Sequence, residues 1–376
     1  QGTILSYFSA LNALYFLSRG LSMTDVGIFA SIALIPFVIK IFWGMLSDRV
    51  NLFGMGHRKP YILIGLLVQF SCLVIVPFVD PADHYWWFVG LAFILQMGMA
   101  LYDTCTDGYA LDSTPEEEEG TIQGFMVGGR ALGVVLTASV VGILADKVSW
   151  YAVFWLLAIL TLIPVPMVLG IHEGERTVEK KFDWAAFSAF KQKTVLALGG
   201  LGFVFFLIIA GVNQLVNPFL EEQFQISLTQ AGFYTTVWGI GVVLGGVVGG
   251  ALIQKIGRKK GTLISMAISF IGVLALAVTM NPTMAWPIVW AFGLAYGTYQ
   301  TVYFALSMGF TDSRISASMF SILMAISNVA QGAGMALSGI LADSIDFRMT
   351  FIIFAALNFL ALPFIGVVFP REKAEA

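Results

Sequence analysis

Hydrophobic positions in this chain fall into long blocks rather than short runs. Stretches such as 61–78 and 151–171 carry almost no polar residue, and each approaches the roughly 20 residues that an α-helix needs to cross bilayer hydrocarbon. These blocks are read as spans, not as helices of a soluble core. Six are predicted at 1–17, 26–46, 61–78, 86–110, 121–144 and 151–171, and six more at 195–219, 229–252, 262–279, 285–310, 317–341 and 350–368. The only long polar stretch, 172–193, separates the sets. Its Glu, Lys and Arg residues, with Phe182, Trp184 and Phe187 among them, predict a linker with a short helix on the membrane surface. The expected organisation is an all-α membrane protein of twelve transmembrane helices in two pseudo-symmetric six-helix bundles. An N-terminal bundle covers 1–172, with its first helix lacking its beginning, a cytoplasmic linker covers 173–193, and a C-terminal bundle covers 194–376.

Composition agrees with this picture. Hydrophobic residues make up 58% and charged ones 11% of the 376 positions, against about a quarter charged in soluble domains. The formal net charge of -3 comes with no basic stripe or tail, so nucleic acid is not an expected partner. Basic residues instead report orientation, because loops rich in Lys and Arg stay cytoplasmic. One side carries Arg49, Arg58, Lys59, Arg176, Lys180, Lys181, Lys191, Lys193, Lys255, Arg258, Lys259, Lys260, Arg314, Arg371 and Lys373; the other has Arg19, Lys147 and Arg348. Both termini are therefore expected in the cytoplasm, with the compact loops pointing to a bacterial inner membrane. Cys72 and Cys105 lie inside apolar spans and read as small buried hydrophobes. No His, Cys and Asp cluster has metal-ligand spacing, His57, His84 and His172 sit in loops, and no phosphate-binding Gly-rich loop is present. Neither a metal, a cofactor nor an enzyme is expected.

The two sets of spans repeat one another. Gly142-Ile143-Leu144-Ala145-Asp146 recurs as Gly339-Ile340-Leu341-Ala342-Asp343, each at the outer end of the fifth span of its half. Gly44-Met45-Leu46-Ser47-Asp48-Arg49 ahead of Gly56-His57-Arg58-Lys59 has a counterpart in Gly250-Ala251-Leu252-Ile253-Gln254-Lys255 ahead of Gly257-Arg258-Lys259-Lys260. Two halves of one design are the architecture of many secondary transporters. These loops resemble the signature that the major facilitator superfamily carries between its second and third and its eighth and ninth helices. The likeness extends over essentially the whole chain. It implies a gate in which Gly44 and Gly250 let helices approach while Asp48, Arg49, Arg58, Lys59 and Arg258 form a latch that breaks as the halves rock. Gln254 departs from the pattern by standing where an acid is usual. Within the superfamily, Asp103-Thr104-Cys105-Thr106-Asp107-Gly108-Tyr109, Asp112, Pro115 with Glu116 to Glu119, and Gly129-Arg130-Ala131-Leu132-Gly133 are similar to the peptide and acetyl-coenzyme A transporter family, which includes muropeptide permeases. Gly56-His57-Arg58-Lys59-Pro60-Tyr61 also resembles folate-biopterin and glycoside-cation relatives.

Charges inside spans are costly and demand an explanation. Lys40 on the second span, Asp103 and Asp107 on the fourth and Arg130 on the fifth all lie about 12–15 Å from the cytoplasmic ends, with Asp103 about 6 Å deeper, at the helical rise per residue. Asp103 and Asp107 are four residues apart and share a helix face. Two readings stay open: a satisfied ion-pair network that locks the half together, or a proton-coupling pair, Asp103 and Asp107, with Lys40 and Arg130 as charge partners or anchors of an anionic substrate. The resemblance places the first, fourth, seventh and tenth helices around a central cavity. Tyr7, Asn12 and Tyr15, then Asn213, Gln214 and Asn217, Tyr296, Tyr299, Gln300 and Tyr303, and Asn328 and Gln331 supply amides and phenols suited to a polar, partly aromatic solute. Interhelical hydrogen bonds are the alternative for each. Pro218 is expected to bend or break its helix near the outer end, and the glycines from Gly239 to Gly250 to form a close packing face. The expected function is proton-coupled secondary transport of a polar organic solute (muropeptide, coenzyme A ester, siderophore or pterin-like) by a monomer in the lipid bilayer, through alternating access. The alternative is a non-transporting assembly or delivery factor for pigment or lipid partners.

Overall fold

A computed structural model describes residues 1–113, 119–171, 173, 191–309 and 316–370. All regular structure among them is helical. The first six spans become α1 (Gly2–Ala10) and α2 (Asn12–Ser18), α3 (Met23–Val38) and α4 (Lys40–Arg49), α5 (Lys59–Ile75), α6 (Tyr85–Asp112), α7 (Glu119–Lys147), and α8 (Trp150–Leu162) with α9 (Val165–Leu169). The second six become α10 (Lys193–Phe224), α11 (Leu228–Ile256), α12 (Arg258–Ala277), α13 (Pro282–Gly309), α14 (Ser316–Ser344), and α15 (Phe347–Leu357) with α16 (Ala361–Val368). Ten of these segments are long and apolar enough to cross a membrane. The pair α1 and α2, and α13, stand where hydropathy places the first and tenth spans. The linker helix expected around Phe182, Trp184 and Phe187, the acids Glu116 to Glu118, and His172, Arg176, Lys180, Lys181, Arg314, Arg371 and Lys373 lie outside the described residues.

Four spans are interrupted, and hydropathy, which runs on across each break, does not reveal it. Pro36 sits inside α3 and lacks the N–H that would bond to the turn behind it; the helix ends within three residues and restarts at Lys40. Pro164 falls in the gap between α8 and α9. A 3₁₀ turn, Asn358–Leu360, separates α15 from α16, and the Asn358 amide donates to the carbonyls of Phe354 and Ala355 at 3.4 and 3.0 Å. Pro218 does the opposite of what its residue type predicts: α10 passes through it as one helix of 32 residues. Asn217 to Leu220 are buried, and α10 is packed by α13, α14, α15 and α16. One missing backbone bond is too little to break a helix so enclosed.

The described residues form two compact units, one of Gln1–Leu21, Ile32–Phe182 and Ser227–Thr236, the other of Ser22–Ser31, Asp183–Ile226 and Val237–Ala376. In the first, α1 packs on α7, and α5 on both α6 and α8. In the second, the corresponding spans pair in the same way: α10 on α14, and α12 on both α13 and α15. Each unit has an aromatic core. Tyr15 meets Trp150, Phe154 and Phe88 at 4.7–5.9 Å in the first; Tyr299 stacks on Phe205 at 3.5 Å in the second.

Within the second unit the glycine run is a packing face. A Cβ added to Gly241, Gly245 or Gly249 of α11 would run into the backbone carbonyl of Trp290, Leu294 or Thr298 of α13, and one on Gly293 or Gly297 of α13 would run into α11. Four-residue spacing puts these glycines on one side of each helix. Gly245→Val is therefore expected to lower stability by about 1–3 kcal/mol, the cost of overpacking, read as a lower melting temperature in detergent. Gly250→Ala, at a position with nothing within 4 Å of an added Cβ, should leave that temperature unchanged.

Candidate functional site

The break at Ile39 fixes the site's first member. By ending α3 and restarting as α4, the chain sets Lys40 on the opening turn of a helix that packs against α6. Asp103 and Asp107 lie one turn apart on α6, and Arg130 lies on α7. Asp103 is 5% exposed. Its Oδ2 stands 3.7 Å from the Lys40 ammonium, and its Oδ1 accepts from Arg130 Nη2 at 3.2 Å. Asp107 is half-buried and makes no ion pair among the described residues. The four charges do not sort into two neutral pairs: one acid holds both cations, and the other holds none. Arg130 keeps a share of its side chain, 40%, exposed, and its buried Nε has no hydrogen-bond partner among the described residues. Gln69, Tyr102, Thr106 and Thr161 join Asp103, Asp107 and Arg130 around a cavity of about 500 Å³, bounded also by Gln1, Gly2 and Thr3, the first residues of the chain.

The polar residues expected along a cavity are distributed over both units. Tyr7 packs between Phe8 and Phe154, Asn12 is 3% exposed at the start of α2, and Arg19 lies over the Tyr15 ring at 5.4 Å. In the second unit Tyr299 and Tyr303 are fully buried, and the Tyr299 hydroxyl donates to Asn358 Oδ1 at 2.8 Å. Asn217 is buried as well. Asn213, Gln214, Gln300, Asn328 and Gln331 are half-buried. The Gln214 amide donates to the Met335 carbonyl at 3.0 Å and that of Gln331 to Asn328 Oδ1 at 3.1 Å. Tyr299 thus serves packing and an interhelical hydrogen bond, whereas the half-buried amides keep open surface.

The signature loop of the first half is a closed network. Asp48 pairs with Arg58 at 2.8 Å, and Arg58, almost fully buried, donates to Ser47 Oγ at 2.7 Å. Gly44 brings α4 close to the Thr104 methyl, and Gly108 makes room for the Arg58 guanidinium. The residue that organises the loop is one the sequence reading missed. Glu173 accepts from the backbone N–H groups of His57, Arg58 and Lys59 at 2.7, 2.8 and 2.6 Å, all at the N-terminus of α5. Carboxylates are stabilised there by free N–H groups and the helix dipole. Lys59 returns the contact by donating to the carbonyls of Leu169 and Ile171 at 2.7 and 3.2 Å. Arg49 is exposed. In the second half Gly257, at φ 90, leads into α12, which Arg258 opens; Gly250 has no close neighbour, and the near approach is made by Gly249 instead.

Comparison with known proteins matches residues 2–217 and 198–376 to the family described as Major Facilitator Superfamily. The chain is 23% identical over 327 residues to the anhydromuropeptide permease of Escherichia coli, covering 83% of this chain and 66% of the permease, just under two thirds of that protein's length. It is 23% identical over 270 residues to the sialic acid transporter NanX of Escherichia coli, covering 69% and 63% of the two chains. The crystal structure of the nucleoside transporter NupG superposes with a TM-score of 0.81 at 14% identity, covering 99% of this chain and 96% of that one. That likeness establishes the fold.

Proposed function

We propose that this chain, which belongs to the Major Facilitator Superfamily, is an integral membrane carrier that moves a polar organic solute with a proton by alternating access. The named relatives carry an anhydromuropeptide and sialic acid, and a solute of that kind, a sugar-containing molecule with an acidic group, suits the charges on α4, α6 and α7. The observation that carries the reading is the unequal division of those charges. Asp103 is committed to Lys40 and Arg130, so it fixes the two cations in a low-dielectric layer. Asp107 has no such commitment among the described residues and can take up or release a proton without breaking an ion pair. Arg130 is partly exposed and has a donor, Nε, with no partner among the described residues, so it can hold a solute carboxylate while Asp103 keeps it in place. Solute and proton then meet within one helical turn, the closeness that coupling needs.

The Asp48–Arg58 pair and the Glu173 cap hold the loop between the second and third spans closed on one side of the membrane and open as the carrier cycles. Both termini face the cytoplasm of a bacterial inner membrane, and the carrier works as a monomer.

Purified protein in sealed vesicles tests this. An imposed proton gradient, acid outside, should drive uptake of an anhydromuropeptide or N-acetylneuraminic acid above its external concentration, and a protonophore should collapse it to equilibration. Uptake that reaches the same level with and without the gradient would sink the proton half of the reading and leave facilitated transport.

A further inference from the structure

The first unit buries more polar atoms than its ion pairs use. On α6, Gln96, Asp103 and Asp107 stand seven and four residues apart and so share one helix face. Gln96 is buried, and its Oε1 has no hydrogen-bond partner among the described residues. Three more side chains of the unit are in the same position. Tyr7 and Asn12 are buried on either side of the break at Leu11 that divides α1 from α2, and neither the Tyr7 hydroxyl nor Asn12 Oδ1 has a partner among the described residues. Gln69 of α5 is 1% exposed. Its Oε1 accepts from the Thr161 hydroxyl at 3.4 Å, while its Nε2 finds no acceptor among the described residues.

These side chains form a series in depth. The rings of Phe16 on α2 and Phe88 on α6 meet edge to face at 5.4 Å, and Gln1 lies at the cavity that holds Asp103 and Asp107. The first span therefore runs antiparallel to α6. At about 1.5 Å per residue, Asn12 lies about 6 Å from the ring contact toward the acids, Gln96 about 12 Å, Tyr7 about 13 Å and Asp103 about 22 Å. Gln69 falls between the last two: a Cβ on Gly98 of α6 would press on its backbone nitrogen at 3.2 Å, and its side chain lines the cavity of Asp103, Asp107 and Arg130. At the other end Tyr15 packs against Phe88, Trp150 and Phe154, so the series stops beneath a cluster of rings.

Buried donors and acceptors are costly to leave unpaired, and where protein supplies no partner they bind ordered water. Asn12 and Gln96 offer acceptors, Gln69 donors, and Tyr7 both. Such groups at successive depths can hold a file of waters, and the file leads to the acids.

We propose that the interior of the first unit binds a file of water running from Asn12 to Asp103 and Asp107, and that Gln96 and Gln69 position it to carry protons to and from Asp107. The amides do not titrate; they orient the water. A proton passes from one water to the next and is taken up on the Asp107 carboxylate, so the only bonds made and broken are O–H bonds. The charged groups around that acid, Asp103, Lys40 and Arg130, keep their pairings throughout. The conducting role rests on the proton coupling proposed above, whereas the binding of water does not.

Hydroxyl-radical footprinting of the purified protein by X-ray radiolysis reads water beside a buried ring, with no solute or gradient present. Tyr7 should be oxidised about fivefold or more faster than Tyr299, which is also buried but spends its hydroxyl on Asn358. Q96M keeps the side chain's length and removes its polar atoms. It should bring the Tyr7 rate down toward that of Tyr299, and should lower gradient-driven uptake relative to counterflow at equal pH by about fivefold, as for the loss of one positioned hydrogen bond. Equal oxidation of Tyr7 and Tyr299 in the parent protein overturns the file, and that result needs no variant to fold. A lowered Tyr7 rate in Q96M with an unchanged ratio of uptake to counterflow overturns the conducting role. If the parent itself shows no gradient-driven uptake, the coupling has failed, and fast oxidation of Tyr7 then marks water that only supports the fold.

Discussion

Asp107→Asn is expected to lower proton-driven accumulation of solute by on the order of tenfold, to the level of equilibration, with solute exchange down its own gradient preserved. The substitution keeps size and hydrogen-bonding shape and removes only the site that can change charge. Because Asp107 makes no ion pair among the described residues, nothing around it is left uncompensated. Melting temperature should therefore stay close to that of the parent protein. Exchange should survive for the same reason: the solute still meets Arg130, which Asp103 continues to hold at 3.2 Å. The two assays use one preparation of vesicles, with counterflow measured at equal pH and accumulation under an imposed gradient. Undiminished accumulation in the variant would take Asp107 out of the coupling step, and loss of exchange as well would make it a solute-binding group.

How far this arrangement could be read from the sequence depended on distance along the chain. The spans, their pairing into halves and the presence of charges at one depth are local or periodic features, and hydropathy with helical rise exposes them. The break at Ile39 is not such a feature, because Ile35 to Ile41 stays apolar apart from Lys40 while the backbone turns. Pro36 and Pro218 show the limit of residue-type rules: α3 ends soon after the first, and α10 continues through the second. What separates them is enclosure, which only tertiary packing supplies. By sequence Glu173 is one more charge at the start of a polar linker, and its role appears only when the loop 114 to 116 residues earlier folds onto it. The Gly-Ile-Leu-Ala-Asp repeat is plain in the sequence, but the backbone N–H groups of Met23 and Thr24 that donate to its Asp343 lie as far as 320 residues away along the chain, and no spacing rule connects them. Tyr299 carries a further lesson, because a phenol in a span serves a cavity or a neighbouring helix equally well by type. Its contact with Asn358 places the hydroxyl in the interior of its unit.

Asp103→Asn should behave in the opposite way to Asp107→Asn, although the two acids sit one turn apart on the same helix. Among the described residues, Asp103 alone compensates Lys40 and Arg130. Its neutralisation leaves two cations uncompensated; removing one partner of a fully buried ion pair costs about 3–5 kcal/mol, and the partial exposure of Lys40 and Arg130, 33% and 40%, brings the cost to the lower end of that range. That is a large part of the margin of a typical fold, so membrane yield should drop several-fold and the melting temperature should fall well below the parent's. Arg130→Gln, by contrast, leaves Asp103 matched one to one by Lys40 and should cost little stability, while weakening retention of an acidic solute. The double variant decides the cause. If the damage in D103N comes from stranded positive charge, adding R130Q removes half of it and brings yield and melting temperature part of the way back, a non-additivity that a lost packing contact does not produce. If instead D103N is as stable as the parent, Asp107 has turned to take up the cations, and the division of labour between a structural acid and a titrating one gives way to a single shared pair. In that event the coupling proton belongs to both carboxylates together, and D103N and D107N should lose accumulation equally.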